Sequence, residues 1–378
     1  MLFRAGEGKV LVGSDFSQQE PRLLCSMAHD ESMLAAYRAK KDLYATIAQN
    51  VYHNDYWDNM EHHQDGTPNP EGKKRRAACK SILLGIMYGR GVASIADQTG
   101  CSVQEAQKII DDFYRGFPAV KKWTDETQEN AKKLGYVEDF MGRRRRLPDI
   151  QRPPVDVCYV DKTRSIVSSD FNPLIGSTGK YVSNVKSDLE IYREKALSAR
   201  GRQAIEKVKQ EALSKGIEIH ENGGFIAQAE RQCVNARIQG GASTITKLAM
   251  IRVHSDPELN QLGFRMLICV HDELIGECPE ENAERCGERL SEVMIDSVRD
   301  IIECPMKCDA EIEPSWYFNE RSGILLEQIE KLEAEGKTSQ DAVDTVWNDN
   351  SELSAEQLCA MLPEKYMCNI MQHNRNVL

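Results

Sequence analysis

Asp15 and Asp272 are the two side chains whose surroundings best suit shared chemistry. Asp15 ends the run Val10-Leu11-Val12-Gly13-Ser14, which is short for a helix and suits a buried strand. Asp272 lies between two apolar runs, at a His271-Asp272-Glu273 corner that reads as a tight hairpin. If the hairpin packs beside the first strand, the two carboxylates face each other. Adjacent carboxylates repel and hold a proton between them unless a cation takes its place. Hard oxygen ligands with room for water and phosphate favour Mg2+. Taken singly, either acid also fits a solvated turn.

A second set of candidates lies in Lys73 to Gly91, where Arg76, Lys80, Leu84 and Tyr88 step by four along a helical pattern. The stripe offers two cations, then an apolar platform, then a phenol. That order suits a nucleoside triphosphate with its phosphates at the cationic end and its sugar and base toward Leu84 and Tyr88. Cys79, Ile82, Leu83 and Ile86 fall on another side and are free to pack. Gly142 to Ile150 holds four consecutive arginines, among them Arg143 and Arg144, in a turn or hairpin. Bringing them together favours an anion such as phosphate. In Ala229 to Val253, Arg231, Asn235 and Gln239 again step by four. Such a polar stripe can read minor-groove acceptors and phosphate. The following Gly240-Gly241-Ala242 admits close approach of another backbone or a nucleic acid strand.

The elements that must position these residues follow from the chain in order. Pro21 to Lys40 reads as one helix, and Asp42 as the cap of the next. Tyr52 to Gly72 reads as loop, and Val103 to Leu134 as two helices broken at Phe117-Pro118. Gln151 to Gly224 is turn-rich to Ser187, then charged and helical, with no chemistry of its own to name. Glu280 to Ile302 is an amphipathic helix, and Pro305 to Ile312 alternates like an edge strand. Ser322 to Leu378 is an acidic helical tail with a break at Gly336-Lys337-Thr338-Ser339.

At 378 residues the chain can bury a large core. Its net charge of -11 argues against an unstructured basic binder of nucleic acid but permits a local basic groove. The 12 cysteines include no pair at zinc-ligand spacing, so reduced, buried thiols are expected. With no membrane-spanning run and no signal peptide at Met1-Leu2-Phe3-Arg4, the expected setting is the cytoplasm of a bacterial or phage-infected cell.

Taken together, these stretches resemble the polymerase region of family A DNA polymerases, the bacterial polymerase I type, and particularly their phage relatives. Asp15-Phe16-Ser17-Gln18-Gln19-Glu20-Pro21-Arg22 resembles that family's first carboxylate motif. Arg76 to Gly89 is similar to its nucleotide-binding helix, and Gly142 to Ile150 to its arginine-rich segment. Glu230 to Ala242 and Val270-His271-Asp272-Glu273 match two further motifs, in the family's order. The resemblance implies an α+β fold, with a small antiparallel palm sheet and helical fingers, and with the thumb and exonuclease domain absent. It places the first part of the palm at 1–40, the fingers at 41–140, and the second part of the palm at 141–150 and 225–318. Residues 151–224 are then an insertion of unknown role, and 319–378 an acidic C-terminal extension.

The same resemblance implies roles. Asp15, Asp272 and the carbonyl of Phe16 would hold two Mg2+ ions, with Mn2+ a possible substitute, and Glu273 would be an accessory acid. Arg76 and Lys80 would neutralise the triphosphate, Lys80 also protonating the leaving group. Glu20 and Tyr88 would bond across the sugar and exclude a 2'-hydroxyl, with Gln18, Leu84 and Tyr44 completing the nucleotide site. Arg231, Asn235, Gln239, His271, Arg143 and Arg144 would hold the primer-template DNA. Leu84 stands where relatives carry Phe or Tyr, and Tyr44 where many carry His. Because 14 residues precede Asp15, the chain is expected to be the catalytic half of a split polymerase, using dNTPs and a separate chain with the thumb or exonuclease. The alternatives are a non-catalytic remnant that binds DNA or a partner, and a single-subunit RNA polymerase.

Overall fold

The computed structural model describes residues 4–160, 166–169, 187–316 and 318–377. The expectations for 161–165 and 170–186, within the turn-rich stretch, lie outside the described residues, as does the extreme N-terminus. The chain forms two compact units: Met1–Gln19 with Ile245–Ile301 and Met306–Leu378, and Glu20–Thr244 with Ile302–Pro305.

The first unit is built on a four-stranded antiparallel sheet in the order Arg265–Val270, Glu273–Pro279, Lys9–Phe16, Cys308–Glu313. Alternation along Lys9–Phe16 divides its side chains between two faces. Val12 and Ser14 are buried on one face, where Ser14 Oγ lies 2.9 Å from Ser291 Oγ of the helix Ala283–Asp296. The opposite alternation places Asp15 directly across from Glu273 on one neighbour and Asp309 on the other. The amphipathic helix expected to Ile302 ends earlier, at Asp296. Helices Phe318–Ala334, Ser339–Asp349, Ala355–Met361 and Met367–Val377 follow the sheet and share a core of Leu325, Ile329, Val346, Trp347 and Ile370. The expected break is present: Gly336 takes a left-handed φ of 96°, and Thr338 caps the next helix.

The second unit is mainly helical. Pro21 to Lys40 forms two helices, Gln19–Ala28 and Glu31–Arg38, where the sequence pattern suggested one. His29 takes φ 50°, and the buried Asp30 accepts the Met33 N–H at 3.1 Å, so a cap interrupts what apolar spacing alone would continue. Asp42 caps Leu43–Tyr52 as expected, accepting from Ala45 N at 2.8 Å. Asn69 caps Pro70–Met87, whose residues Cys79, Ile82 and Leu83 are fully buried. The hairpin Tyr136–Glu138 with Arg144–Arg146 presents its arginines to solvent. The 33-residue helix Gly223–Ser255 contributes its portion through Thr244 to this unit.

Between hairpin and long helix lies a small α/β layer. Strands Val155–Val160 and Ile217–Glu221 pair antiparallel and cover the helices Asp188–Ser198 and Arg202–Ser214. The helices match the charged pattern, whereas Val155–Val160 falls where the sequence suggested turns, and Ile217–Glu221 follows the helical pattern as a strand the sequence did not suggest.

Candidate functional site

On the sheet unit, the hairpin turn closes between Val270 and Glu273, with His271 in the left-handed region at φ 53°. The turn therefore delivers Asp272 to the end of the sheet where Asp15 leaves it. Partial withdrawal from water, then the Asp272 and Asp309 carboxylates, hold the Asp15 carboxyl above its ordinary range, with Lys307 pulling the other way. Desolvation raises Asp272 as well, with His271 opposing. Glu273 is pushed up to about 7 by desolvation, then by Asp15, Glu311, Glu313 and Asp272. The two acids singled out from the sequence thus share one electrostatic environment.

The sheet adds three acids that the sequence reading passed over: Asp309, Glu311 and Glu313. They stand opposite Asp15, Gly13 and Leu11, all on the Asp15 face. Their signal was available in the alternation Cys308-Asp309-Ala310-Glu311-Ile312-Glu313, but the partner strand could not be read from it. A Cβ at Gly13 would come within 2.9 Å of Glu273 Oε1, so the glycine leaves that carboxylate room against the strand. Oxygen donors crowded enough to raise their own proton affinity suit a hard divalent cation. Phe16 is buried, so its side chain belongs to the core and only its backbone carbonyl is available. Gln18 takes φ 54° in the turn after the strand, and Gln19, not singled out earlier, donates to Thr246 Oγ1 at 3.1 Å.

On the helical unit, the four-residue stripe is present, with Tyr88 capping Pro70–Met87. Arg76 is already engaged: Nη2 donates to Asp42 at 2.8 Å and Nη1 to Glu61 at 3.0 Å. Its guanidinium lies 5.4 Å from the centroid of Tyr44, which is buried beneath it rather than projecting. Lys80 is exposed and, among the described residues, pairs with no carboxylate. Leu84 is half-buried. Tyr88 Oη donates to Glu20 Oε2 at 2.9 Å. Desolvation, then that hydrogen bond, pushes the phenol up to about 12, so it stays protonated as the donor. Gly89 holds φ 63°, and a Cβ there would fall 2.7 Å from Arg231 Cβ, which fixes the end of the stripe against the long helix.

A second surface of the same unit gathers Arg143, Arg144, Asn235 and Gln239 around a cavity of about 500 Å³, with Arg145 and Gln232. Arg144 donates to Glu138 at 2.6 Å, while Arg143 is exposed and unpaired among the described residues. Asp139, absent from the sequence reading, shapes the hairpin by accepting from Met141 N, Arg143 N and Thr244 Oγ1. Arg237, also missed, is half-buried and donates to Glu138 O at 3.1 Å and Thr127 Oγ1 at 2.7 Å. Gly241 meets the Leu23 and Phe140 side chains, where a Cβ would clash at 2.6 Å, so it serves protein packing. Gly240, expected to share that close contact, has open space in front of it. Arg231 is exposed and lies against Gly89; His271 is on the sheet unit.

A small antiparallel sheet with paired acids at one end, together with a helical unit carrying the Arg-Lys-Tyr stripe, defines the polymerase palm-and-fingers class of α+β fold. The chain belongs to DNA polymerase family A, whose model matches residues 1–167 and 177–318. It is 26% identical over 314 residues to DNA polymerase I of Chloroflexus aurantiacus, covering 83% of this chain and 25% of that one. It is 28% identical over 294 residues to the thermostable DNA polymerase I of Thermus aquaticus, covering 77% of this chain and 25% of that protein. The chain therefore spans about a quarter of the length of these relatives. Among solved structures, the POL domain of Pol1 from M. smegmatis, in complex with DNA primer-template and dNTP, shares its fold. That likeness has a TM-score of 0.57 at 22% identity, over 83% of this chain and 41% of that one.

Proposed function

We propose that this chain performs template-directed DNA synthesis by nucleotidyl transfer, adding deoxynucleotides to a primer 3'-hydroxyl. The observation that carries the reading is the pair Asp15 and Asp272, each held above its ordinary protonation range on one sheet end. Asp15, Asp272 and the Phe16 carbonyl would hold divalent cations, Mg2+ by ligand hardness and Mn2+ as a substitute. When bound, such ions supply Lewis acidity at the attacking and leaving oxygens.

Lys80, exposed and without a carboxylate partner among the described residues, would offer charge to the triphosphate and a proton to departing pyrophosphate. Arg76 would contribute after exchanging the Glu61 or Asp42 contact for phosphate. The Glu20–Tyr88 hydrogen bond would close the sugar side, leaving a 2'-hydroxyl no space and excluding ribonucleotides. Leu84 offers apolar contact and no hydroxyl to replace a missing 3'-OH. Arg143, Asn235, Gln239, Arg231 and His271 would bind primer-template, with Arg144 steadying the hairpin. We further propose that this region, of the phage-type wording Ser17-Gln18-Gln19-Glu20-Pro21-Arg22, works in DNA replication or repair together with the remaining parts of a polymerase.

Primer extension with Mg2+ tests this, run with dNTPs and with NTPs, on the chain and on Asp272→Ala, with and without a thumb-containing fragment of a relative. Extension by dNTPs that disappears in Asp272→Ala supports the proposal. DNA binding without extension under every condition would make the chain a binding remnant, and preferential use of NTPs would make it an RNA polymerase.

A further inference from the structure

The face of the small α/β layer turned away from its helices carries chemistry that nucleotidyl transfer does not use. Val155, Val157, Ile217 and Ile219 occupy the covered face and share a core with Leu189 and Tyr192. The other alternation brings Cys158 directly opposite Glu218, and Asp156 opposite His220. One ligand atom from each of Cys158, Glu218 and His220 lies within 4.8 Å of the other two. His220 Nε2 is already 3.3 Å from Glu218 Oε2.

Donor atoms around a tetrahedral zinc, at bonds of about 2.0–2.3 Å, stand roughly 3.3–3.8 Å apart. The observed spread needs only small side-chain adjustments to reach that arrangement. Cys158 is buried, while the Glu218 and His220 side chains are partly exposed at 39% and 51%. The sulfur is therefore fixed by the fold, and the other two ligands can turn onto an ion arriving from solvent. Asp156 beside them is held by Asn222 Nδ2 at 2.7 Å.

We propose that Cys158, Glu218 and His220 form a zinc-binding site, separate from the carboxylates at Asp15 and Asp272. A thiolate with an imidazole selects a borderline-soft ion over Mg2+, since sulfur and nitrogen are poor ligands for hard cations. On binding, the Cys158 thiol releases its proton to solvent and the sulfur bonds to the metal. Solvent completes the coordination. The ion joins two strands that are far apart in sequence, so its effect is to close a long loop and stiffen the layer.

The test is titration of the metal-stripped full chain with Co2+, followed by Zn2+. Thiolate ligation gives Co2+ an intense sulfur-to-metal charge-transfer absorption that the all-oxygen Asp15–Asp272 cluster cannot produce. The expected result is one equivalent of that absorption, bleached by Zn2+, abolished in Cys158→Ser and retained in Cys368→Ser. His220→Gln and Glu218→Gln weaken binding by about tenfold or more. If Cys158→Ser misfolds by circular dichroism, the partly exposed His220→Gln variant decides alone. Absence of the absorption, its survival in Cys158→Ser, or unchanged affinity in His220→Gln overturns the site and leaves a surface Glu–His ion pair.

Discussion

Arg76 has both ends of its guanidinium already occupied. Asp42 and Glu61 hold it in place, and under the proposed function a triphosphate would have to replace one of them. Glu61 is the more exposed partner, at 41% against 16% for Asp42, and exposed ion pairs are worth about 0.2–1 kcal/mol. Glu61→Gln should therefore lower the KM for dNTP by up to about fivefold, whereas loss of the Asp42 cap costs fold stability as well. Steady-state kinetics on both variants separates the two effects. On the proposed function, replacing Asp272 by alanine would remove a metal ligand next to the reacting oxygens. Primer extension should fall by about 10²- to 10³-fold, the scale of losing one electrostatic contact to a transition state. At Leu84, competition between ddNTP and dNTP should show strong discrimination against the dideoxynucleotide. Equal incorporation of the two would remove Leu84 from the sugar contact.

Elements are held in place by a few side chains that bridge distant segments. Gly89 ends the Pro70–Met87 helix with a left-handed turn pressed on Arg231. Gly89→Ala should cost about 1–2 kcal/mol from the backbone alone, and more from the clash, measured as a shift in denaturant midpoint. On the sheet unit, Asp256 caps Pro257–Gln261, accepting from Leu259 N at 2.9 Å and from Arg289 Nη2 at 2.7 Å. The Arg289 hydrogen bond first, with the backbone amides and against desolvation, holds the Asp256 carboxyl below its ordinary range. A depressed carboxylate contributes stability above the unfolded-state value of 3.8, and that stability disappears as pH falls through the folded value. Thermal unfolding of wild type and Asp256→Asn should therefore differ at neutral pH and converge in acid below about pH 4. A difference that persists undiminished at the lowest pH would remove Asp256 as the linked group.

For the whole molecule, a net charge of -11 coexists with an exposed arginine hairpin, so any DNA contact depends on local charge. The Arg143 side chain pairs with no carboxylate among the described residues, and Arg144 is committed to Glu138. Arg143→Ala should reduce the salt slope of DNA binding by about 1, while Arg144→Ala should change it less. Equal slopes for wild type and Arg143→Ala would take the hairpin out of the phosphate contacts. The helices following the sheet carry their own core around Trp347, whose Nε1 donates to Leu353 O at 3.0 Å.

The sequence alone determined the strand-ending Asp15, the acidic hairpin, the Arg76-Lys80-Leu84-Tyr88 stripe, the basic turn and their family order. Each is a local pattern, set by periods of two or 3.6 residues that the chain displays directly. Only the tertiary structure decided which distant groups meet: Asp309, Glu311 and Glu313 on the Asp15 face, Glu61 on Arg76, Tyr44 beneath it. It also decided that Asp30 interrupts a helix and that Cys158 faces Glu218. The physical reason is register. Pairing between strands far apart in sequence is fixed by the packing of their buried faces, and a slip of one residue would send every one of these acids to the opposite side.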